Sequence, residues 1–77
     1  MEYVEICNND LYLAIKAMEN NVKIYCDINS TVYDRLSIND TADEITLANS
    51  NKQLVMNLND FVTYCIEKMI VVKVLIK

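Results

Sequence analysis

The chain predicts an α+β domain: an antiparallel sheet of four to six strands with two helices packed on one face. Three observations carry this. Val22–Ile28 alternates apolar and polar residues without a break. Two other stretches repeat apolar residues at helical spacing. Asn is abundant and Gly is wholly absent, so turns that need positive φ should fall to Asn or Asp, the residues least penalised there. Asn8-Asn9, Asn20-Asn21, Asn49-Ser50-Asn51 and the Asn57/Asn59 pair then mark the punctuation.

Each element follows in order. Glu2–Cys7 suits a short strand. A first helix is expected from about Asp10 to Asn20, with Asn9 as N-cap and Asp10 complementing the positive helix end. Leu11, Ile15 and Met18 form its apolar stripe, and Asn20 or Asn21 is the expected left-handed stop. In Val22–Ile28 the apolar face is Val22, Ile24, Cys26 and Ile28, and the polar face is Lys23, Tyr25 and Asp27. Val32–Ile38 alternates less well. Val32, Leu36 and Ile38 share a face with Asp34, so a strand is expected over its later part.

Ile45–Ala48 and Gln53–Leu58 flank the Asn49–Lys52 turn and read as a hairpin, with Leu54, Met56 and Leu58 on one face. Asn59 is the expected cap of a second helix from Asp60. Its stripe is Phe61, Cys65 and Met69, with Val62 and Ile66 beside it. The β-branched run Ile70–Ile76 favours a final strand. All 77 residues fit one small domain.

Composition removes whole classes of chemistry. With no Gly there is no Walker-type phosphate loop and no dinucleotide-binding turn. With no His there is no Ser-His-Asp or Cys-His catalysis and no zinc finger of the His-containing kind. Cys7, Cys26 and Cys65 lack metal-ligand spacing and read as reduced thiols of a cytosolic protein. Met1–Cys7 carries two Glu and no apolar segment of signal-peptide type. The apolar run at Met69–Lys77 is too short to span a bilayer and contains Lys73. A cytoplasmic protein without cofactor, enzymatic activity or membrane partner is therefore expected.

The net charge is −4, and it has an address. Asp27, Asp34, Asp40, Asp43 and Glu44 lie between positions 27 and 44 with Arg35 as the only base, while acids and bases balance elsewhere. Such a segment serves either as a solvated, solubilising edge or as an acidic patch that meets a basic groove on a partner. Carboxylates spaced like phosphates can occupy Arg and Lys sites built for nucleic acid. Direct nucleic-acid binding is not expected, because the bases are scattered. Asn39, Asp40, Thr41, Asp43 and Glu44 form the densest polar stretch, and turn or capping chemistry uses the same residue types. Asp40, Asp43 and Glu44 lack the spacing and Gly of a Ca²⁺ loop, so no metal is assigned. Tyr25 and Tyr33 fall on the polar faces of their strands and join the candidate surface.

The N-terminal half resembles small phage-encoded anti-CRISPR proteins that inhibit type II-A CRISPR nucleases. The resemblance lies in Asn9-Asp10-Leu11, Ile15-Lys16, Val22-Lys23-Ile24, Asp27, Asn29-Ser30 and Asn39-Asp40. The order helix, strand, strand, strand, helix agrees as well. The strongly acidic final helix of that family has no counterpart in the apolar Ile70–Lys77. The resemblance implies a non-enzymatic inhibitor that binds the nuclease with its guide RNA. It would occupy the basic site that reads the short DNA motif flanking the target. Asn39, Asp40, Asp43 and Glu44 would face that site, with Asp27, Asp34, Tyr25 and Tyr33 completing the surface. The alternative is a small interaction domain that homodimerises through a sheet edge or the apolar C-terminal segment.

Overall fold

The computed structural model describes residues 2–18 and 20–76. The elements are β1 (Glu2–Ile6), α1 (Asn8–Lys16), β2 (Val22–Ile28), β3 (Thr31–Ile38), β4 (Glu44–Ala48), β5 (Gln53–Asn57), α2 (Leu58–Lys68) and β6 (Val72–Ile76). The six strands form one sheet in the order β1-β6-β2-β3-β4-β5, and every neighbouring pair is antiparallel. β6 lies between β1 and β2. Each helix therefore crosses over the sheet to join strands that run the same way, β1 to β2 and β5 to β6.

Both helices lie side by side on one face. Leu11 and Ile15 of α1 and Leu58, Phe61 and Cys65 of α2 are buried in a single core. The sheet contributes Ile24, Cys26, Ile28, Tyr33, Leu36, Ile45, Leu47 and Val72 to it. Among the described residues no helix covers the opposite face of the sheet. The α+β class and the two-layer arrangement agree with the sequence reading.

β2 occupies Val22–Ile28 as expected, with Ile24, Cys26 and Ile28 buried. β1, the β4–β5 hairpin and β6 also match. The departures have local causes. α1 starts at Asn8, not Asp10. Cys7 stands at the N-cap with no side-chain bond, so Asn9 lies inside the first turn rather than capping it. The helix ends at Lys16. The Ala17 amide is shared between the Leu13 and Ala14 carbonyls, and the Met18 amide donates to Ile15. The last turn thus tightens to 3₁₀ geometry. Met18 packs as a partly buried residue beyond the helix, and Asn21, at φ 58°, turns the chain into β2 rather than stopping α1.

α2 starts at Leu58. Its cap is Asn57, whose side-chain oxygen accepts from the Asn59 and Asp60 amides. Asn59 is therefore capped, not capping. The helix ends before Met69, which takes the left-handed conformation at φ 57°. That swings its side chain off the apolar stripe and leaves it 84% exposed.

β3 runs from Thr31, and its inward set differs from the expected one. Its register with β2 shifts by one residue between Lys23↔Arg35 and Cys26↔Tyr33. Two residues of β2, Ile24 and Tyr25, lie opposite Asp34 alone, which is a β-bulge. The shift turns Tyr33 inward with Leu36. Tyr33 is 7% exposed, whereas Val32 is 38% exposed. The expected outward Tyr33 and inward Val32 are thus both corrected. The same shift leaves Asp34 and Arg35 outward together.

Asn supplies only part of the positive-φ backbone. Asn21 and Asn29 take it, but so do Ser30, Ala42 and Met69. Asn29 and Ser30 alone connect Ile28 to its paired residue Thr31. Positive φ at both central residues is the pattern of a type I′ hairpin turn, whose handedness matches strand twist.

Candidate acidic loop and open sheet face

The candidate residues divide between two places. Asn39, Asp40 and Asp43 lie in the β3–β4 connection, and Glu44 follows them as the first residue of β4. Asp27, Asp34 and Tyr25 lie on the open sheet face. Tyr33 belongs to neither, since it is buried in the core. Asn39 lies five positions beyond Asp34 along β3, roughly 17 Å at strand rise. Asp27 pairs with Val32, farther still from the loop.

The loop is built around one side chain. The Asn39 side-chain oxygen accepts from the Asp43 and Glu44 amides, both at 3.0 Å. Its Nδ2 donates to Thr41 Oγ1 at 3.0 Å and to Asp43 Oδ1 at 2.6 Å. The Thr41 hydroxyl donates to the same Asp43 oxygen at 2.7 Å. Main-chain bonds close the frame. The Asn39 amide donates to Glu44, Ala42 to Asn39, and Leu58 to Asp43. The last of these ties the loop to the start of α2. Ala42 completes the turn at φ 58°.

These bonds sort the carboxylates. Hydrogen bonds from Thr41 and then Asn39 hold the Asp43 carboxyl below its ordinary value of 3.8, because they favour the charged form. Asp43 is thus a loop-forming residue. Among the described residues the Asp40 and Glu44 carboxylates have no hydrogen-bonding or ionic partner, and both residues are exposed. Arrangement and charge coincide here, since no base lies between Asn39 and Glu44.

The open face is different in kind. Tyr25 and Tyr3 pack edge to face with centroids 6.3 Å apart. Lys73 Nζ lies 5.8 Å from the Tyr25 centroid, within cation–π range. Asp34 Oδ1 meets Arg35 Nε at 3.3 Å, an exposed pair of small energetic weight. Across β1, β6, β2 and β3, Glu5, Asp27 and Asp34 share this face with Lys23, Arg35 and Lys73, so that part of it is electrically balanced. Glu44 of β4, which alternates with buried Ile45 and Leu47, adds a carboxylate at its loop end. Glu5, Tyr25, Asp27, Lys73 and the Met69–Val71 segment line a shallow cleft at its edge. Tyr3 and Lys73 are absent from the sequence candidates. Their proximity to Tyr25 depends on β6 pairing with both β1 and β2, which no local pattern encodes.

The thiols divide between surface and core. Cys7 is exposed, while Cys26 and Cys65 are buried, and all three are free. Burial, then the neighbouring Asp27 charge, pushes Cys26 up to about 11. Burial, then Cys26, pushes Cys65 up to about 12. Neither buried thiol is a ready nucleophile at neutral pH. Among the described residues no three Cys, Asp or Glu side chains converge as a metal site. No helix among them is long and apolar enough to cross a membrane.

No protein-family model, curated protein or solved structure matches the chain.

Proposed function

We propose that the chain is a non-enzymatic inhibitor that binds a partner protein through the Asn39–Glu44 loop. The loop enters a basic groove otherwise used for nucleic acid. On the resemblance to anti-CRISPR proteins, that groove is the DNA-motif-reading site of a type II-A CRISPR nuclease carrying its guide RNA, and the setting is the cytoplasm of a phage-infected cell. The mechanism is competitive exclusion of DNA.

One observation carries the reading. The Asn39 network fixes the loop while leaving the Asp40 and Glu44 carboxylates without partners among the described residues. A prefolded loop loses little conformational entropy on docking. Two free carboxylates on a rigid frame match the bidentate geometry of arginine side chains. The electrical balance of the sheet face across β1, β6, β2 and β3 favours the loop and the adjoining Glu44 as the charge-reading part, so Asp27, Asp34 and Tyr25 serve at most as flanking contacts.

The test is a double charge reversal, Asp40→Lys with Glu44→Lys. Asp43 is left intact because it shapes the loop. Binding to the guide-loaded nuclease is measured across a salt series. The proposal expects binding that weakens with added salt, mostly through the on-rate, and is lost in the doubly reversed protein while its thermal midpoint is kept. Wild-type affinity in that variant would refute it.

A further inference from the structure

We propose that β5 is a homodimerisation edge, through which a second copy of the chain continues the sheet across a two-fold axis. This rests on the sheet's strand order and charge, and it stands independently of the acidic-loop reading.

The sheet ends at β1 on one side and at β5 on the other. An edge strand presents unpaired backbone donors and acceptors, and natural proteins guard such edges with charge, proline or bulges. The two edges differ sharply in this respect. β1, Glu2–Ile6, carries Glu2 and Glu5. β5, Gln53–Asn57, carries no charged residue, its pairing with β4 is continuous without a bulge, and the chain contains no proline. α2 leaves the end of β5 and packs inward over β4 and β5, so the outer backbone of β5 stays open.

The β5 sequence is also complementary to itself. Antiparallel pairing of two copies about Val55 sets Val55 opposite Val55, Leu54 opposite Met56 and Gln53 opposite Asn57. Apolar residues meet apolar ones and amides meet amides. Leu54 and Met56 already pack at the rim of the core, so the pairing extends the helix-side apolar layer from one copy into the other. Val55, 49% exposed on the bare face, gains a covering partner. Two-fold pairing of β1 about Val4 would instead place two carboxylates from each copy along one ribbon, an unfavourable arrangement. Two five-residue strands make an interface at the small end of the range, under about 1,200 Å². The dimer is therefore concentration-dependent.

Sedimentation velocity across a concentration series tests this. The wild type should pass from monomer to dimer, and Val55→Lys, which opposes two ammonium groups across the axis, should weaken the dimer by at least about tenfold. Val4→Lys, at the other edge, should leave the dissociation constant unchanged. Register is tested in a Cys7→Ser background, where Val55→Cys should form an interchain disulfide under mild oxidation. A monomer at every concentration, a dimer lost by Val4→Lys instead, or no cross-link in the Val55→Cys variant would overturn the inference. A monomeric wild type that still binds the nuclease would overturn this inference and leave the acidic-loop reading standing.

Discussion

Removing the Asn39 side chain tests whether the acidic loop is a built frame. Asn39→Ala deletes four hydrogen bonds, two accepted from the Asp43 and Glu44 amides and two donated to Thr41 and Asp43. All are exposed, so each contributes near the lower end of the usual range, about 0.5 kcal/mol. The sum is about 2 kcal/mol. For a domain of this size that corresponds to a fall of about 10 °C in Tm. Urea and thermal unfolding measure the global effect. Amide hydrogen exchange at Asp43 and Glu44 measures the local one, and protection there should fall with the stability. Asn39→Asp sharpens the test. It keeps an acceptor for the two amides but places a carboxylate against Asp43, so its defect should deepen as pH rises through the carboxyl range. A loss under about 0.5 kcal/mol, with unchanged protection at Asp43 and Glu44, would refute the reasoning. The loop would then hold its shape through main-chain bonds alone.

Other expected outcomes follow from the backbone, the core and the titrating groups. Ser30→Gly and Met69→Gly should each stabilise the fold by about 0.5–1 kcal/mol, because glycine removes the cost of left-handed backbone at those positions; urea midpoints measure this. Phe61→Ala should destabilise by about 3–5 kcal/mol, since Phe61 is wholly buried between the helix and the sheet, and equilibrium unfolding reads the loss. The Asp43 interactions should contribute fully above the ordinary carboxyl value of 3.8 and vanish as pH falls through the lowered folded value. The stability difference between wild type and Asp43→Asn should shrink to nothing at the acid end of that window. A thiol reagent should modify Cys7 in the native protein and reach Cys26 and Cys65 only when the chain unfolds, which mass spectrometry resolves.

The legible parts of the fold are those that one strand or one helix decides for itself. β2 alternates throughout because one face meets the core and the other meets water. The β4–β5 hairpin is marked by Asn49, whose side-chain oxygen accepts from the Asn51 and Lys52 amides. What escapes a local reading depends on partners. The inward turn of Tyr33 is set by a bulge in its neighbour, where β2 has one residue more than β3. The strand order is equally hidden, because β6, last in the chain, inserts between β1 and β2. Helix ends are ambiguous because several adjacent Asn residues are equally competent caps, and backbone geometry selects Asn57 over Asn59.

The candidate site divides the same way. Charge counting locates the loop, since Asp40, Asp43 and Glu44 are close in sequence. It does not distinguish their roles. Asp43 is occupied by Thr41 and Asn39, while the Asp40 and Glu44 carboxylates have no hydrogen-bonding partner among the described residues. Charge counting also groups Asp27 and Asp34 with the loop, although strand length carries them away from it.

Competition between this protein and target DNA tests the proposed function most directly. The guide-loaded nuclease is mixed with the protein, and cleavage is followed as DNA bearing the short flanking motif is raised. Competitive exclusion predicts full inhibition when the protein is added first, with an apparent inhibition constant that grows in proportion to DNA concentration. Unimpeded cleavage, or inhibition indifferent to DNA concentration, would contradict it.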